Sequence, residues 1–286
     1  DDKQIESIEP TEKLLSQKLV EECMIAANSC AARFLAQHSA TGPFVSHPGF
    51  RAERLDEVKK FLEMHTPELA ELDPQSLEGY RAIMRGLMAP GHKLPLRPMV
   101  NRLLTRARLS CEAGPHMGMA LEHYTNCTSP LRKYSDFLVH MQIKAVLHGG
   151  EGKLVDADLL ENLSSRLANC RSATLEAERW LAGKYLARLN SEQTVPLKAA
   201  ITHVNSSGFN VRLDDNGLEG FVDLRKDPEK FSYDKWTASL TSTTRRFQLG
   251  QAVEITFEGL DRDNQYQASF ALVEGCGLKQ AGETPQ

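Results

Sequence analysis

The sequence predicts an α+β chain, mostly helical over residues 1–192, followed by a small five-stranded barrel over 193–275 and a loose polar tail at 276–286. Three observations carry that expectation. Apolar residues recur at helical spacing through the first two thirds, beginning with Leu15, Leu19, Cys23, Ala26, Ala27, Cys30, Ala31 and Phe34. Around Gln193-Thr194-Val195-Pro196 the pattern changes to short alternating segments separated by Gly-, Asn- and Asp-rich turns. The 286 residues, 41% hydrophobic and 25% charged, have the balance of a soluble globular protein with real cores.

Composition also excludes some classes. No run of about 18 apolar residues marks a membrane span, and Asp1-Asp2-Lys3-Gln4 lacks the basic start of a signal peptide, so a cytoplasmic protein is expected. The six cysteines form no C-x-x-C pair, which points to reduced thiols and away from a zinc knuckle. With a net charge of −4, a nucleic-acid site must be a local patch.

The first helix, over about 11–37, is predicted to be close-packed and largely buried because of its Ala and Cys content. Asn28 lies on or near its packed face and is expected either to hydrogen-bond a backbone group, the favoured reading, or to touch ligand. Gly42-Pro43 ends the unit, and Phe44 to Pro48 is a short extended segment whose His47 either touches substrate or, the favoured reading, is hydrogen-bonded in place. Residues 51–107 read as three more helices, the second capped by Asp73-Pro74. Arg97, Arg102, Arg106 and Arg108 read as a solvated face ahead of an RNA-channel wall. Two short extended pieces, 109–113 and 119–124, then bring Tyr124 close to the next segment, where it either packs or contacts a base or phosphate.

That next segment, Thr128-Ser129-Pro130-Leu131-Arg132-Lys133-Tyr134-Ser135-Asp136, reads as a helix start with Ser129 as N-cap and Pro130 at the first position. Leu131, Tyr134, Leu138 and Met141 are spaced to face a core. Arg132 and Lys133 stand where the helix dipole favours acids, each forgoing roughly 0.3–1 kcal/mol, so the segment is suited to receive an anion such as phosphate. Arg132, Asp136 and His140 follow at i, i+4, a spacing at which Asp136 fixes the guanidinium's direction. A long helix over about 156–189 follows. Strands are predicted at 197–204, 209–213, 220–224, 252–257 and 265–272, the layout of an OB-type barrel.

The barrel segment resembles an S1 RNA-binding domain through Ile201 to Asn205, Gly208 to Leu213, Gly217 to Val222 and Leu249 to Val253. Joined to T-S-P-L-R-K-Y-S-D, to Leu19-Val20-Glu21-Glu22-Cys23-Met24-Ile25-Ala26-Ala27-Asn28 and to Gly114-Pro115-His116-Met117-Gly118, it makes the chain similar to the ribonuclease II family, as the C-terminal part of an RNB catalytic domain followed by S1. Cys127 and Met141 depart from that family's pattern, which has an aromatic and an arginine there.

The resemblance implies 3′ to 5′ hydrolysis of single-stranded RNA to nucleoside 5′-monophosphates, without a preference for DNA. It makes Arg132 the catalytic residue, holding the scissile phosphate. RNA contacts would come from Tyr124, Thr128, Ser129, Lys133, Tyr134, Asp136 and His140, and on the barrel from His203, Phe209, Arg212 and Phe221, with Arg245, Arg246 and Arg262 as phosphate partners. It also implies Mg2+ held by clustered aspartates. No such cluster precedes Leu19, so the metal ligands are expected on a companion N-terminal segment with cold-shock-like domains, and this chain alone is expected to be inactive. The alternative is a non-catalytic single-stranded RNA-binding protein that retains the phosphate clamp and the barrel.

Overall fold

A computed structural model describes residues 5–192, 196–273 and 275–277. Contacts divide the chain into two units, one of residues 13–92 and 96–170, the other of residues 1–12, 93–95 and 171–286.

The first unit opens with α1 (Leu15–Gln37). Only Asn28, Ala32 and Leu35 of this helix are buried, while Leu15, Leu19 and Val20 are more than half exposed. The expected largely buried helix is therefore corrected: α1 packs from Asn28 onward. There Ala32 and Leu35 meet Phe44 of β1 (Phe44–Ser46) and Val139 of α5 (Tyr134–Leu147), and small side chains permit the close approach. Three helices lie between. The amphipathic α2 (Leu55–His65) buries Val58, Phe61 and Leu62; α3 (Leu77–Gly86) buries Tyr80, Ile83 and Met84; the short α4 (Leu96–Val100) buries Leu96, Met99 and Val100.

The cap of α3 is Ser76, whose Oγ accepts from Gly79 N–H at 3.0 Å, three residues beyond the expected Asp73-Pro74 start. β2 (Arg108–Ser110) pairs antiparallel with β1. The expected second extended piece at 119–124 is absent: Met117–Met119 form a tight turn, and Ala120 takes a left-handed φ of 57°. After α5, the 36-residue α6 (Ala157–Glu192) buries Leu160 and Leu163 in this unit.

The second unit is built on a closed barrel of β3 (Leu197–Asn205), β4 (Gly208–Leu213), β5 (Glu219–Asp223), β9 (Ala252–Asp261) and β10 (Gln267–Leu272). The strand order is β10-β5-β4-β3-β9, with β10 antiparallel to β9 and parallel to β5. Alternation puts Ile201, Phe209, Val211, Leu213, Ile255 and Phe270 inside, and Leu186 of α6 joins them. At Gly183 a Cβ would lie 2.2 Å from Leu260, so glycine is what lets α6 approach β9.

The connection between β5 and β9 carries a meander that the sequence did not announce: β6 (Ser232–Asp234), β7 (Ser239–Thr241) and β8 (Arg246–Gln248). Of the tail expected at 276–286, Cys276 and Gly277 are described, Gly277 accepting from Arg246 N–H at 2.9 Å; the rest, like the predicted switch at 193–195, lies outside the described residues.

Candidate nucleic-acid interface

The segment with misplaced cations does not begin the helix. α5 starts at Tyr134 with Lys133 as its N-cap residue, and Ser129 to Lys133 form a separate turn in which Ser129 C=O accepts from Arg132 N–H at 3.2 Å and Lys133 N–H at 3.0 Å. The reason is Asp136, whose side chain is fully buried. Its carboxylate accepts from Ser129 N–H at 2.9 Å and from the Ser135 hydroxyl at 3.0 Å, so it caps the turn instead of aiming Arg132. A buried carboxylate gains more from a fixed backbone N–H than from a solvated guanidinium.

Asp136 is accordingly withdrawn as an RNA contact, and the expected Arg132–Asp136–His140 face does not form. His140 instead ties its Nε2 to Cys127 C=O at 2.7 Å. Of the four residues expected to face the core, only Leu138 is buried; Leu131 is fully exposed and Tyr134 about half exposed, stacking on Phe137 at 6.0 Å. The side chains of Arg132 and Lys133 are exposed and make no hydrogen bond or ion pair among the described residues.

The turn borders an open groove of about 660 Å³. Val20, Glu21, Met24 and Asn28 of α1 form one side, and Met119, Tyr124, Asn126, Thr128 and Lys133 the other. Asn28, 4% exposed, sits at the base: Nδ2 donates to Tyr124 Oη at 2.9 Å and Oδ1 accepts from Cys127 N–H at 2.8 Å. The expected backbone hydrogen bond of Asn28 is thus present.

Tyr124 is packed. Its ring stands edge-on to His116 at 5.5 Å and little of it is left for a base to stack on, which corrects the stacking role; its hydroxyl remains at the groove floor. His116 in turn stacks on His47 at 5.4 Å. His47 Nδ1 accepts from Gly49 and Gly118 N–H, His116 Nδ1 from Met119 N–H, and burial lowers the pKa of both rings. Glu21, paired with Lys13, and Asn126 are groove residues that sequence reasoning missed; a helical spacing says which residues share a face but not which face stays open.

On the barrel, the registers place His203 beside Asn210 and Asn210 beside Phe221, a row across the outer face of β3, β4 and β5. Phe209 is withdrawn from the RNA contacts. It is fully buried against Phe247 at 5.0 Å, because the pleat that turns Asn210 and Arg212 outward turns Phe209 inward. Arg212 is exposed but bridges to Glu219 across the strand pair at 2.6 Å. Arg245 is no phosphate partner either: it is mostly buried beneath Phe231 and held by Asp227 and by Glu229 at 3.1 Å. Hydroxyls of Ser242 and Thr244, with Arg245 alongside, hold Glu229 down at about 2.

Among the described residues no group of three or more His, Cys, Asp or Glu side chains is placed to hold a metal ion, and no helix is long and apolar enough to cross a membrane. None of the six cysteines is in a disulfide.

Residues 1–149 match the family model of the RNB domain. Exoribonuclease 2 of Glaesserella parasuis is 30% identical over 274 residues, covering 89% of this chain and 40% of that protein, so the chain spans about two fifths of the relative's length. Structures of Mycoplasma genitalium RNase R, free and in complex with ribose-methylated single-stranded RNA, superpose with a TM-score of 0.65 at 18% identity, covering 92% of this chain and 42% of that one. Yeast Ssd1, described as a pseudonuclease, gives 0.59 at 18% identity over 81% of this chain and 30% of its own.

Proposed function

The chain belongs to the RNB-domain family, and on that premise we propose that it is part of a 3′ to 5′ exoribonuclease that hydrolyses single-stranded RNA to nucleoside 5′-monophosphates. The observation that carries this reading is the pair Arg132 and Lys133: two solvent-facing cations without a protein partner among the described residues, on a turn whose backbone Asp136 locks from beneath. Arg132 grips the scissile phosphate and stabilises the charge that builds on it, as preorganised donors do in phosphoryl transfer. Lys133 takes the adjoining phosphate, and Thr128, Ser129 and Tyr134 border the same strand of RNA. Residues 1–192 act as the C-terminal part of an RNB catalytic domain. Residues 193–275 act as an S1-type barrel that reads RNA on the row of His203 and Phe221, with Arg212, Arg246 and Arg262 near the backbone.

The magnesium implied by the family does not fit the described residues, which offer no ligand cluster. In this proposal its aspartates lie on a companion segment with cold-shock-like domains, in a cytoplasmic setting. A second reading, a non-catalytic RNA-binding protein, is favoured by the fold's occurrence in Ssd1, since a fold does not by itself imply catalysis.

Labelled single-stranded RNA and magnesium, incubated with this chain alone or with a companion segment carrying clustered aspartates, separate the two. Nucleotide release only with the companion supports the exoribonuclease; binding without release in both supports the second reading. In the assembled enzyme, Arg132→Ala is expected to abolish release while RNA affinity is largely kept, and unchanged turnover would sink the role given to Arg132.

A further inference from the structure

A turn that presents two cations to a polyanion must be held, or the anion has to order it on binding and loses affinity accordingly. Asp136 holds the Ser129 end of this turn from α5. The other end, at Cys127, is held from a different helix. Asn28 Oδ1 accepts Cys127 N–H, its Nδ2 donates to Tyr124 Oη, and Tyr124 C=O in turn accepts from Val45 N–H at 2.8 Å. His140 takes the carbonyl of the same Cys127. Cys127 is therefore tied at both its N–H and its C=O, and among the described residues the hydrogen bond that reaches it from α1 comes from a buried amide. Helix propensity does not explain an asparagine there, since Asn is a weak helix former.

We propose that Asn28 is a positioning residue: it fixes the entrance of the 127–133 turn so that Arg132 and Lys133 meet adjacent phosphates without prior ordering. The inference rests on the reading of Arg132 and Lys133 as phosphate contacts. It assigns Asn28 no contact with RNA of its own, only control over whether those two cations act together.

The test is a double-mutant cycle on the full chain, with a 5′-fluorescein-labelled single-stranded RNA of about 15 nucleotides titrated at several salt concentrations. With Asn28 present, the R132A/K133A pair is expected to weaken binding at least tenfold and to flatten the dependence of log Kd on log salt by about 0.7 per lost contact. Asn28→Leu is expected to weaken binding severalfold. Adding R132A/K133A to Asn28→Leu should then cost less than twofold more, because the cations are already uncoupled. Hydrogen exchange should show the Cys127 amide unprotected in Asn28→Leu while α5 amides keep their protection, which a general loss of fold would not do. Asn28→Asp retains acceptors for both Cys127 N–H and the Tyr124 hydroxyl and should restore the coupling between position 28 and the cations. Fully additive losses, or equal uncoupling by Leu and Asp, would overturn the proposal. No effect of R132A/K133A with Asn28 intact would remove the phosphate reading itself and this inference with it.

Discussion

Asp136 shows how much one side chain decides here. Replacing it with Ala leaves the Ser129 N–H without its partner and removes the acceptor of the Ser135 hydroxyl; the expected cost is about 2–4 kcal/mol, seen as a lower urea midpoint. Its sequence position predicted a role at this site, but i, i+4 spacing could not say that burial would turn the carboxylate to the backbone. The same limit applies to Phe209, whose type suggested a base contact and whose place in the pleat made it core. Two histidines give a pH dependence. Burial lowers the pKa of His47 and His116, and their Nδ1 atoms already accept backbone N–H groups, so the fold needs both rings neutral. In the unfolded chain they titrate near the ordinary value of about 6.5. Their contribution is complete above that pH and is lost progressively as the pH falls from it through the lowered folded-state values, because unfolding then takes up protons. Urea midpoints measured from pH 7.5 down to 5.5 should decline, and an H47N/H116N variant should decline less.

At the scale of elements, strand positions and alternation were readable: four of the five predicted barrel strands begin within about one residue of their observed starts, since period-2 burial leaves a plain mark. The start of α5 was not readable, because Ser129-Pro130 satisfies the rules for a helix cap and for a tight turn equally well. The β6–β8 meander was missed because its strands are three residues long, too short for any periodicity. That meander hangs on Arg245. Truncation to Ala removes the cation that Asp227 and Glu229 share, and Arg245→Ala should lower the midpoint of thermal unfolding. At Gly220 of β5 a Cβ would lie 2.5 Å from the Ala268 carbonyl oxygen and 2.2 Å from Phe270, so Gly220→Ala should cost about 1–3 kcal/mol by pushing β10 away.

For the molecule as a whole, the helical-then-barrel order was legible from the change of period, whereas the split of α6 between the two units was not: its apolar residues follow one helical repeat from end to end, and only packing distinguishes Leu163 from Leu186. Each unit has its own core, so calorimetry should resolve two transitions, the barrel's moved by Gly220→Ala and the other by Asp136→Ala. A single transition shifted alike by both would contradict this. The parallel pairing of β10 with β5 also bears on how the protein is made. Before Gln267–Leu272 has emerged from the ribosome, the four strands already synthesised can form only an open sheet, with β5 and β9 as bare edges. Translation therefore passes through an interval in which two sticky borders await the last strand, and that interval is when a nascent chain is most exposed to mispairing with its neighbours on a polysome.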